Sequence, residues 1–190
     1  ETVKKEYKTR FGLTWLNYTQ ASNSQGLAMT KEASEKYGIK TISALQKNAS
    51  EIRFASTTAF AEIADGLPLL EEHYGEFNFK ETRVFDVSLK YQVLLNGEMD
   101  LTVAFLTDGQ LADDRFVVLE DDKHVWPPYN IAPIVRDETL EQYPEIEEIL
   151  NNVSQALDNE TMRFLNSQVD IEQKDYEAVA REFYESHIKE

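Results

Sequence analysis

Six short apolar runs, each set apart from the next by a segment of different texture, constrain this 190-residue chain more than any other feature. They lie in "FGLTWL", "EIRFAS", "TRVFDVS", "MDLTVAFLTDG", "RFVVLEDD" and "IAPIVR". Between them stand helical segments: "MTKEASEKYG", closed by Gly38; "TISALQKN", with Ser43 as its cap; and "TTAFAEIADGLPLLEEHYG", interrupted at Gly66-Leu67-Pro68. A fourth, "LKYQVLLNGE", stops at Gly97. Glycine ends a helix because the left-handed conformation costs it nothing. Strands alternating with helices of this length predict an α/β protein with a mainly parallel sheet. After the last strand the pattern is helical. Ile146, Ile149, Leu150, Val153 and Leu157 recur at helical spacing and predict one buried face, with Pro144 opening that helix.

Charge excludes some partners. The formal net charge is −16, and residues 111–190 hold 7 basic and 20 acidic side chains against 12 and 15 in residues 1–110. Such a surface repels phosphate backbones, so no nucleic acid is expected. The charge step near residue 110 is the one boundary signal; repeats, low-complexity tracts and Gly/Ser linkers are absent from the sequence. Without cysteine there is no disulfide, thiolate zinc site or cysteine nucleophile. No apolar run reaches membrane-spanning length, and the opening "ETVKKEYKTR" lacks signal-peptide character. His73, His124 and His187 share no ligand spacing, and Asp121 and Asp122 read as a solvated turn. No nucleophile elbow, P-loop or dinucleotide fingerprint is present, so neither a metal, a cofactor nor an enzymatic reaction is expected.

The stretch "HVWPPYNIAP", residues 124–133, is of another kind. Two successive prolines fix φ twice and remove two backbone donors, so this is a stiff loop holding Trp126 and Tyr129 in place. Trp15 precedes the polar loop "NYTQASNSQG", and Phe105 closes a strand before "LTDG". Ligands of open α/β sheets sit outside the carboxyl ends of strands. For these aromatics, core packing and a solute pocket both remain open on the residues alone.

"LTWL" with its polar loop, "LLNGEMDLTVAFLTDG", "VVLEDDKHVWPPYNIAPIVR" and "TMRFLNSQVD" together resemble the substrate-binding proteins of osmoprotectant ABC transporters, those for glycine betaine, carnitine and choline. The similarity runs over essentially the whole chain in one order. It implies a type II periplasmic-binding-protein-like α/β fold of two lobes, the first incomplete in this chain. Residues 1–11 would lead in from the first lobe, 12–108 form the second, and 109–190 return into the first. It also implies capture of a small quaternary-ammonium or zwitterionic solute and its delivery to ABC permease subunits. The setting implied is extracytoplasmic, with membrane association through a lipid anchor or permease fusion not present in this chain.

Family members hold the quaternary ammonium in a cage of aromatic side chains from both lobes. By position Tyr129 matches the proline-loop tyrosine, and Phe105 the aromatic before the Ser/Thr-Asp-Gly turn, whose Thr107 is also expected to bind the solute. The loop after the tryptophan reads Asn-Asn-Thr-Tyr in such proteins and "SNSQ" here. Asn23 keeps its place; Gln25 stands where a tyrosine is expected. Losing one aromatic wall costs about 0.5–2 kcal/mol of cation–π attraction, while glutamine brings a donor and an acceptor. The solute implied is then another zwitterion or polar compatible solute, unless Tyr18 replaces the lost ring. Trp126 is expected to be packing support. An incomplete lobe exposes sheet edge, which favours self-association. The alternative is a ligand-sensing module on the same fold without a permease partner.

Overall fold

The computed structural model describes residues 2–189. Its strands are β1 (Leu13–Trp15), β2 (Gln25–Thr30), β3 (Arg53–Ser56), β4 (Glu81–Val84), β5 (Leu101–Phe105), β6 (Phe116–Val118) and β7 (Ile134–Arg136). The chain divides into a sheet unit, Ser24–Pro128, and a mainly helical unit built from the stretches up to Asn23 and from Tyr129 onward. These boundaries differ from the expected 12 and 108. β1 pairs with β7 in the helical unit, and β6 joins the sheet unit, because backbone pairing rather than the charge step decides membership.

The sheet unit holds five strands in the order β4-β3-β5-β2-β6. β3 is parallel to β4 and to β5, whereas β2 is antiparallel to both β5 and β6. The sheet is therefore mixed, not mainly parallel. β3, β4 and β5 are joined through intervening helices, which is what parallel neighbours require. β2, which follows the entry into the unit, runs the other way, while β6, which precedes the exit, runs in the direction of β3, β4 and β5. β2 is also a strand the apolar runs did not reveal.

Local chemistry sets the helix ends. Thr30 Oγ1 accepts from Ala33 N–H at the start of Lys31–Tyr37, and Gly38 ends it at φ 66°. The next helix, Ile42–Asn48, is capped by Thr41, whose Oγ1 accepts from Ala44 N–H, not by Ser43. Helices Thr58–Glu62 and Leu67–Tyr74 lie either side of Gly66 as expected. The helix predicted before Gly97 shrinks to a 3-10 turn, Val87–Leu89, and one turn, Gln92–Leu95. Leu27, Met29, Ile42, Phe54, Leu70 and Leu101 are fully buried between sheet and helices.

The helical unit comprises Thr2–Phe11, the β1–β7 pair and four further helices, Asp137–Gln142, Glu145–Gln155, Asn159–Asp170 and Tyr176–His187. Pro144 immediately precedes the second of these. Its apolar face is not the buried one expected: Ile146, Leu150 and Val153 are half-buried and Ile149 is exposed. Among the described residues of this unit only Leu16, Ala21 and Val179 are buried hydrophobics, too few to cover a helix face.

One ion pair fixes the amino end of β3. Asp100 accepts from Arg53 N–H at 2.9 Å, Nε at 2.9 Å and Nη2 at 2.8 Å. Burial pushes the Asp100 carboxyl up, but the bonds from Arg53 outweigh it and hold the group below its ordinary range. A lowered native pKa gives stability that is complete above the unfolded value and is lost as pH falls through the native one. Asp100→Asn is expected to cost about 1–3 kcal/mol at pH 7, and the gap should narrow toward pH 3. Urea melts at the two pH values check this; a gap independent of pH would contradict it.

Candidate functional site

β2 and β5 place two of the candidates side by side. Gln25 and Phe105 are direct partners in the antiparallel register. Directly opposed residues leave the same face of a sheet with Cβ atoms about 4.5–5.5 Å apart. The four residues of β5 before Phe105 are buried, yet Phe105 itself is 43% exposed. This ring ends a core strand and stands out of the core.

A carboxylate fixes the turn beyond it. Asp108 Oδ2 accepts from Phe105 N–H at 3.0 Å, the Tyr91 hydroxyl at 2.7 Å and the Lys90 ammonium at 2.7 Å. Lys90 is only 4% exposed, and its Nζ lies 5.4 Å from the Phe105 ring centroid and 5.1 Å from that of Tyr91. An internal cation thus already engages Phe105. Thr107, between the two, is buried.

The proline loop is tied to the same end of the sheet. Ser24 accepts from Leu106 N–H through its carbonyl at 3.0 Å and donates from Oγ to the Pro127 carbonyl at 3.2 Å. Asp121 is no solvated turn residue. It accepts from the Tyr74 hydroxyl at 2.5 Å and from Trp126 N–H at 2.9 Å, while Lys123 N–H donates to the Tyr74 oxygen at 2.9 Å. Burial, reinforced by the bond to Asp121, raises the Tyr74 pKa, so the hydroxyl stays a neutral donor. Asp122 caps a different element by accepting from Ser43 N–H at 3.0 Å. Trp126 is buried beside Phe60, with ring centroids 6.5 Å apart, as packing support requires.

One main-chain carbonyl joins Trp126 to Gln25. Asp65 O accepts from Trp126 Nε1 at 2.8 Å and from Gln25 Nε2 at 2.9 Å. Gly66 follows, and a Cβ there would collide with the Phe60 carbonyl oxygen, so the carbonyl is presented by a turn that only glycine fits.

The other candidates lie in the helical unit. Tyr129 is 43% exposed, which argues against a core tyrosine. Its N–H donates to Ser22 Oγ at 2.9 Å and its carbonyl accepts from Asn23 N–H at 3.0 Å, so backbone bonds bring Asn23 and Tyr129 together. Asn23 is exposed. Trp15 packs edge-on to Tyr7, with centroids 5.4 Å apart, and Tyr18 is largely exposed. Among the described residues no three His, Cys, Asp or Glu side chains could hold a metal ion together.

Sequence reasoning missed Lys90, Tyr91, Asp108 and Asp65. The Asp-Gly pair after β5 signalled a turn and nothing of its partners. A main-chain carbonyl such as that of Asp65 leaves no mark in a sequence.

Residues 1–186 match the family described as the substrate-binding domain of the ABC-type glycine betaine transport system. The chain belongs to this family. It is 37% identical over 186 residues to a glycine-betaine-binding protein of Pseudomonas aeruginosa, covering 93% of this chain and 60% of that protein. It is 32% identical over 185 residues to the ergothioneine transport permease/ergothioneine binding protein EgtU of Helicobacter pylori, covering 97% of this chain and 33% of that one. Among solved structures, a glycine betaine/carnitine/choline ABC transporter protein superposes with a TM-score of 0.89 at 29% identity, covering 97% of this chain and 67% of that chain. The fold is that of type II periplasmic binding proteins, the family is one of solute binding, and the chain spans about 60% of the Pseudomonas relative's length.

The clamp on the proline loop has a direct consequence. Tyr74→Phe leaves the Asp121 carboxylate without its hydroxyl donor and Lys123 N–H without its acceptor. The expected loss is about 1–3 kcal/mol of stability. A denaturant melt showing no change would mean that the loop is held by other contacts.

Proposed function

We propose that this chain is the solute-binding component of an ABC importer for quaternary-ammonium or related compatible solutes, of the glycine betaine, carnitine and choline type. The observation that carries the reading is Phe105: an aromatic at the end of a buried strand, exposed, fixed by Asp108, and set beside a polar partner on the same face. An aromatic face attracts a quaternary ammonium, whose methyl groups also gain from leaving water. Tyr129 supplies a second exposed ring on a loop stiffened by two prolines, so little loop entropy is lost on binding.

In this reading Phe105 and Gln25 are the solute contacts of the sheet unit, Tyr129 and Asn23 those of the helical unit, and buried Thr107 supports the turn that presents Phe105. Lys90 takes up part of the Phe105 ring, so the solute's cation meets the part left exposed. No chemistry is performed on the solute. Capture outside the cytoplasm and transfer to permease subunits complete the role. No helix among the described residues is long and apolar enough to cross a membrane.

Substitutions at Tyr129 in the full-length protein test the reading. Tyr129→Phe keeps the π face and is expected to bind glycine betaine or choline nearly as well. Tyr129→Ala is expected to weaken binding by about 1–2 kcal/mol with little change in melting temperature, since the ring is largely exposed. Calorimetry and thermal melts on both variants decide. Unchanged affinity in a folded Tyr129→Ala protein would remove Tyr129 from the site.

A further inference from the structure

We infer that Gln25 selects solutes bearing a hydrogen-bond donor, an O–H or N–H, close to the quaternary ammonium, over solutes that carry none. The inference deepens the functional reading above and rests on it. Its starting point is the orientation of one amide. Gln25 donates to the Asp65 carbonyl, and a carbonyl oxygen only accepts, so the amide NH2 must face Asp65. The orientation is held on both sides. Trp126 Nε1 donates to the same oxygen, and the collision a Cβ would make at Gly66 fixes the turn that presents it.

With one N–H of the NH2 on Asp65, Gln25 offers its Oε1 and its second N–H elsewhere. No described residue donates to this oxygen, and it is not among the buried unpaired polar atoms, which are Trp15 Nε1 and Ser154 Oγ. It is therefore an acceptor open to solvent, on a side chain that leaves the sheet beside the exposed Phe105 ring. A cation seated on the ring brings the groups three or four bonds away from its nitrogen to the side of Gln25. A hydroxyl or ring N–H there completes a hydrogen bond. A solute with only methyl groups and a carboxylate can accept from the second N–H but brings no donor to Oε1, which is left stripped of water and unpaired, the costly case. A tyrosine at this position would offer a ring and a hydroxyl that both donates and accepts, and would impose no such choice.

A matched ligand pair tests this on the unmodified full-length protein. Choline and its methyl ether differ by a hydroxyl hydrogen replaced with one methyl group; glycine betaine lacks a donor, and ergothioneine presents a ring N–H in place of a hydroxyl. Calorimetry is expected to show choline binding about 5- to 30-fold more tightly than its methyl ether. Tighter binding of ergothioneine than of choline and carnitine would assign the preferred donor to a ring N–H; tighter binding of choline or carnitine than of ergothioneine would assign it to a hydroxyl. Gln25→Met, which keeps length and removes the acceptor, is expected to bring choline and its ether to within about twofold. Equal affinity for choline and its ether in the unmodified protein overturns the inference while leaving the functional reading intact. Binding of none of these solutes overturns the functional reading, and the inference with it.

Discussion

The pairing of β2 with β5 is the constraint on which the rest of the sheet unit depends. It spans five residue pairs, from Gln25 opposite Phe105 to Met29 opposite Leu101, near the middle of the sheet. A slip of one residue would turn every side chain of β2 to the other face. Leu27 and Met29, both fully buried, would then leave the core, at roughly 1.5–3 kcal/mol for each side chain exposed. The core therefore fixes the register, and the register places an amide beside an exposed ring. The geometry of the proposed site follows from the packing of other residues.

Around that pair the polar groups form a connected frame. Asp108 holds the turn after β5, Ser24 ties that turn to the proline loop, Asp121 bends the loop back, and the Asp65 carbonyl joins Trp126 to Gln25. Each bond is worth only about 0.5–1.5 kcal/mol net. Their joint effect is to limit the positions that Phe105 and Gln25 can take. A preorganised site loses less freedom on binding, and affinity is gained mainly through that saving.

Much of this was legible in the sequence, and what was not has definite causes. Gly38 and the break at Gly66 read correctly because left-handed or crowded backbone leaves few residue choices. The proline loop read correctly because two fixed φ angles exclude helix and ladder alike. β2 did not read as a strand. Its sequence QGLAMT begins in a polar loop and includes glycine and alanine, residues with little strand preference, so tertiary pairing overrides local propensity. Missing β2 also hid the antiparallel half of the sheet and moved the unit boundary. The resemblance singled out Phe105 and Gln25 as neighbours of the solute, but their cross-strand pairing needed the register, and the partners that orient them, a buried lysine and a main-chain carbonyl, have no sequence signature.

A crystal structure of the full-length protein with a bound quaternary-ammonium solute measures the central claim most directly. The account predicts the quaternary nitrogen within about 6 Å of the Phe105 ring centroid, with Gln25 Nε2 still on the Asp65 carbonyl and its Oε1 turned to the solute. A solute ordered elsewhere, with Phe105 and Gln25 left in solvent, would contradict it.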